Sequence, residues 1–192
     1  MPPRRPGPAE PIRAARRATD TLDAMERAPH AALADRYRAD PGRAAVTQRV
    51  RTELREGMRC ETTSRGHAAV ADEPRSLGGT DTAQSPIELF LTSVATCQAA
   101  TYRLWADELG VALDRVTVEV EGDIDLRGYL GLADDVAAGY GAMRISVRLE
   151  GPEPEERYRL LSEEAERHCP MIDTLVRPVP LERTLLLGPE PG

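Results

Sequence analysis

Residues 85–100 read SPIELFLTSVATCQAA. Ser85 suits an N-cap, Pro86 the first helical position, and Glu88 the third, where its carboxylate can reach back to the cap amide. The stretch therefore predicts a strong helix start. Between Ile87 and Ala100 the only polar residues are Glu88, Thr92, Ser93, Thr96 and Gln98. A helix apolar on nearly every side has to be surrounded by protein. The helical pattern continues to about Glu108, and Gly110 is placed as its C-terminal stop. The result is a long, buried central helix with one thiol, Cys97, near its middle.

Working outward, residues 46–74 alternate polar and less polar side chains, with turn signals at Glu56-Gly57 and Arg65-Gly66. They predict three antiparallel strands. A Gly-rich polar loop, RSLGGTDTAQ, leads from them into the helix. Beyond it, Val116–Gly128 alternates with period two and Met143–Gly151 does the same, so two further strands flank a loop over 129–139. EPEERYRLLSEEAERHC is an amphipathic helix with Glu in its first turns, where the helix dipole favours acids. Pro170 stops it or starts another, and VPLERTLLLG predicts a closing strand. Strands cluster instead of alternating with helices, which places the chain in the α+β class with an antiparallel sheet. One small sheet covers such an apolar helix poorly, so a second subunit is expected.

Residues 1–45 read as an N-terminal extension and 46–192 as the main domain. The first ten residues carry four prolines and predict disorder. Residues 11–40 predict two short helices broken at Pro29, closed by Asp40-Pro41-Gly42.

Composition narrows the function. The chain has 192 residues, 41% hydrophobic, enough for one core. A net charge of −7 and an aromatic content of 4% argue against nucleic acid and anionic membrane as partners. No run of 18 apolar residues predicts a membrane span, and the N-terminus has no apolar signal core, so a cytoplasmic location is expected. The cysteines are three: Cys60, Cys97 and Cys169. That odd, sparse set predicts no disulfide framework, and without C-x-x-C spacing no metal or other cofactor is expected.

A free cysteine is most often a small buried hydrophobe, and Cys60, within a predicted strand, fits that description. Cys97 lies in mid-helix and Cys169 at a helix end before a proline. Peroxide reduction by thiols needs such a pair: one thiolate attacks the O–O bond, and a second thiol condenses with the sulfenic acid formed.

From about Arg51 to Leu187 the chain resembles the OsmC/Ohr superfamily of thiol-dependent peroxidases and related redox proteins. The resemblance rests on DEP (Asp72–Pro74) and LGG (Leu77–Gly79), on SPIELFLTSVATC, on VEGDIDLRGYLG and on HCPMIDTL. It implies an intertwined homodimer with long central helices between two sheets and active sites at the subunit interface. It implies that Cys97 is the peroxidatic cysteine and Cys169 the resolving one. An arginine from the early strands polarises the thiolate in that family; Arg55 is the best match and Arg59 its rival. The implied substrates are organic hydroperoxides and the implied reductant a dithiol. In the family's peroxidases a glutamate stands ten residues before the peroxidatic cysteine. Here that position is Ile87, and Glu88 beside it becomes the candidate acid, although its capping role accounts for it without catalysis. The leading expectation is a cysteine-based peroxidase. The alternatives are a small-molecule binding protein of the same fold without turnover, and an interaction protein whose residues 1–45 dock a partner.

Overall fold

The computed structural model describes residues 30–189, which fall into two units divided between Val46 and Thr47. In the first, helix α1 (His30–Ala39) is followed by a 3-10 turn over Pro41–Ala44. The turn begins where Asp40-Pro41-Gly42 predicts the helical region to end. The expected disorder of residues 1–10, and the expected first helix before Pro29, lie outside the described residues.

In the second unit, β1 (Arg51–Leu54), β2 (Cys60–Ser64) and β3 (His67–Ala71) form an antiparallel meander in that order. Its two turns require left-handed backbone, supplied by Gly57 at φ 62° and by Arg65 at φ 56°. The chain then wraps around Asp72. This buried carboxylate accepts hydrogen bonds from the N–H groups of Thr80 and Thr82, each at 3.1 Å, and from both hydroxyls. The loop delivers Ser85 to the start of helix α2 (Pro86–Leu109). Ser85 and Glu88 close both arms of a capping box, and Gly110 ends the helix at φ 60°.

Strands β4 (Arg115–Ile124) and β5 (Tyr140–Glu150) pair antiparallel as a long hairpin. The strand predicted to run to Gly128 stops at Ile124, because the Asp125 side chain accepts from Arg127 N–H and caps a helical turn, α3 (Leu126–Tyr129). Helices α4 (Glu155–His168) and α5 (Pro170–Val176) complete the unit. The core lies where α2, α4 and the hairpin converge: Tyr102, Ala106, Val111, Leu113, Leu161 and Ala165 form one buried cluster.

One expectation is corrected. Residues 179–188, expected as the closing strand, form none. A strand exists only where its N–H and C=O groups meet a partner edge. Among the described residues none lies alongside, and Leu181 and Leu187 are 93% and 87% exposed. Within one chain, helix α2 buries Val94, Gln98, Thr101, Tyr102 and Ala106 and leaves Ile87, Phe90 and Leu104 exposed.

Candidate functional site

The centre of α2 carries Cys97, and the Thr101 hydroxyl donates to the Cys97 carbonyl at 2.8 Å one turn on. Cys169 sits at the corner between α4 and α5, with the extended backbone (φ −78°, ψ 116°) that Pro170 demands of the residue before it. Two contacts pin α4 to α2 and so fix this corner. Tyr102 Oη and Ser162 Oγ share a hydrogen bond of 2.8 Å. The Trp105 and His168 rings stack with centroids 4.3 Å apart. Cys169 is fully buried, and its Sγ lies 3.6 Å from the Cys97 Sγ, across 72 residues of sequence. A disulfide needs about 2.05 Å between sulfurs, so an approach of roughly 1.5 Å would close one.

The surroundings of Cys97 oppose its ionisation. Burial is the largest influence and raises the thiol's pKa. The Met171 N–H, in the first turn of α5, bonds to it and lowers it, while the neighbouring Cys169 raises it further. Burial penalises a thiolate unless a cation or donors replace its water. This N–H, with the Thr101 side chain that also lowers the thiol, is a partial replacement. The sequence could not have revealed the N–H, since any residue but proline supplies the same group.

The other expected site residues do not gather at this pair within one chain. Arg55 contacts Glu53 at 2.8 Å and Glu61 at 3.0 Å, and Arg59 contacts Glu61 at 3.4 Å. The Arg55 hydrogen bond is the main reason the Glu61 carboxyl is held below its usual range. Among the described residues, no arginine is named with the groups acting on the Cys97 thiol. Glu88 is in the capping box, and nine residues of helix turn it about 900° from Cys97, hence to the opposite face and roughly 13 Å along. Its carboxyl is held low first by the Ser85 N–H. Ile87 offers its carbonyl to Tyr140 Oη at 2.9 Å, and the Tyr140 ring stacks on Phe90. Cys60 pairs with Leu54 across the β1–β2 ladder.

Residues 79–183, more than half of the chain, match the family of OsmC-like proteins. No curated protein matches by sequence. Among solved structures the chain is similar to an OsmC-like protein from Mycoplasma pneumoniae, at 18% identity and TM-score 0.60, over 68% of this chain and 88% of that one. It is similar to a putative osmotic stress induced and detoxification response protein from Psychrobacter arcticus, at 16% identity and TM-score 0.55, over 68% and 89%. It is also similar to an organic hydroperoxide resistance protein OsmC from Legionella pneumophila, described as a predicted redox protein, at 19% identity and TM-score 0.52, over 68% and 89%. At these identities the likeness is one of fold. The family match places the chain in the OsmC-like family, whose α+β fold it has.

Proposed function

We propose that this member of the OsmC-like family is a thiol peroxidase that reduces organic hydroperoxides through a Cys97/Cys169 cycle. The observation that carries the reading is the 3.6 Å separation of two sulfurs that sequence keeps 72 residues apart. A peroxide-related redox role agrees with the family and with the hydroperoxide resistance proteins that share the fold.

The cycle has three balanced steps. The Cys97 thiolate attacks the distal peroxide oxygen; the O–O bond breaks, the alkoxide leaves and takes a proton as the alcohol, and Cys97 becomes a sulfenic acid. The Cys169 sulfur then displaces hydroxide from that sulfenic acid, the Cys169 proton leaves with it as water, and a disulfide forms. A dithiol reductant finally exchanges with the disulfide, becoming oxidised and returning both thiols.

The first step needs a thiolate, which one chain disfavours. In this reading a second copy supplies the missing charge through Arg55, with Arg59 as the rival, and covers the exposed Ile87, Phe90 and Leu104 of α2. Glu88, on the far side of its own helix from Cys97, would act only from a second copy or not at all. No helix among the described residues is long and apolar enough to cross a membrane, and the proposed site of action is the cytoplasm.

Peptide mapping tests the cycle. After one equivalent of organic hydroperoxide, a Cys97–Cys169 linked peptide that a dithiol removes is expected. Oxidised protein without that linkage would overturn it. A second reading, binding of a small molecule without turnover, draws on Ile87 at the position before the cysteine where peroxidases carry glutamate, and on the raised Cys97 pKa. A ligand retained through purification, with no peroxide consumed, would favour it.

A further inference from the structure

Leu161, Ala165 and Cys169 stand four residues apart along α4 and its C-cap, and each is 0% exposed. Residues at this spacing share one face of a helix, so Cys169 ends the face that packs α4 onto Tyr102 and Ala106 of α2. Uncovering its sulfur requires lifting α4 off that cluster. Cys97 differs, because it is partly exposed on α2. The two thiols, 3.6 Å apart, therefore have unequal access. A second copy of the chain can add cover to either sulfur but can remove none from Cys169, whose burial is complete within one chain. Access matters because a thiolate opens a disulfide by displacement at one sulfur, entering from the side opposite the sulfur that leaves. At Cys169 no such line of approach is open.

We infer that the dithiol reductant attacks the oxidised pair at Cys97 and that Cys169 is the sulfur released, an assignment that rests on the thiol cycle proposed above. The entering thiolate bonds to Cys97 Sγ, the Cys97–Cys169 bond breaks, and its electron pair passes to Cys169 Sγ, which takes up a proton. The products are a mixed disulfide on Cys97 and a free thiol at Cys169. The reductant's second thiolate then attacks its own sulfur in the mixed disulfide, so that Cys97 leaves as a thiolate and the reductant departs as a disulfide. Hydroperoxide and reductant thus meet the same sulfur by the same entrance, and Cys169 exchanges only with Cys97.

The test forms the disulfide with diamide, so that it does not depend on peroxide turnover. The oxidised full chain meets about one equivalent of 2-mercaptoethanol, a monothiol that carries the exchange only to the mixed disulfide, and is quenched into guanidinium chloride containing N-ethylmaleimide. Peptide mapping should find the mercaptoethanol adduct on Cys97 and the maleimide on Cys169, with a preference of at least about tenfold. The same exchange run in guanidinium chloride from the start, where both sulfurs are open, should spread the adduct over the two within about threefold. Adducts chiefly on Cys169, or one distribution in native and unfolded protein alike, overturn the assignment, as does a failure of diamide to link the pair. If diamide links Cys97 to Cys169 and organic hydroperoxide does not, the peroxidase reading fails and the order of attack stands.

Discussion

Ser85 and Glu88 hold each other at the start of α2: the Ser85 N–H donates to Glu88 Oε2 at 2.7 Å, and the Glu88 N–H donates to Ser85 Oγ at 3.4 Å. The acid beside the family's catalytic position is thus occupied with building the helix. Glu88→Gln keeps an acceptor for the Ser85 N–H and should leave both stability and peroxide turnover near wild type. Glu88→Ala should cost roughly 0.5–2 kcal/mol in chemical denaturation. A large rate loss in Glu88→Gln at unchanged stability would assign the carboxylate a chemical role.

The activation of Cys97 is expected to depend on Arg55. Burial raises this thiol in one chain, whereas an arginine placed beside it by a second copy would lower it. In wild type the midpoint of alkylation rate against pH should fall below the ordinary thiol value of about 8.5. In Arg55→Ala it should rise above that value, and reaction at neutral pH should slow. If Arg59→Ala gives the shift instead, Arg59 is the activating residue.

Cys169→Ser should stop oxidation at the sulfenic acid. Cys97 would then go on to sulfinic acid under excess hydroperoxide, a gain of two oxygen atoms by intact mass, and steady turnover would cease. Normal cycling by this variant would remove Cys169 from the mechanism.

Acid should loosen the loop before α2. The hydrogen bonds of Thr80, and then of Thr82, hold the Asp72 carboxyl down to about 2 from an ordinary 3.8. A lowered folded-state pKa gives stability that is complete above the unfolded value and lost as pH falls below it. Wild type should therefore lose stability as pH drops from 3.8 toward 2. Asp72→Asn should start less stable and show a flatter acid limb in denaturant titrations over that window.

Leu161 is fully buried in the cluster that joins α4 to α2. Leu161→Ala should cost about 2–5 kcal/mol, read from the denaturation midpoint. Because the same contact seats Cys169, the rate of disulfide closure should fall as well.

The central helix was legible because its signals are local. Cap, proline, acid and terminal glycine act within one turn of the residues they affect, and Ser85, Pro86, Glu88 and Gly110 stand as expected. The two hairpin turns of the meander were legible for the same reason. The strand expected at the C-terminus was not, since pairing needs an edge that local sequence does not specify.

By itself the sequence determined the α+β class, the long helix, its thiol and the family likeness, all from short-range chemistry and motif order. Tertiary structure alone decided that Cys97 and Cys169 meet, because the Tyr102–Ser162 and Trp105–His168 contacts that seat α4 join residues 60 and more apart. It alone paired Arg55 with Glu61 and brought the Met171 N–H to the thiol. Those are relations in space between groups whose sequence spacing carries no trace of them.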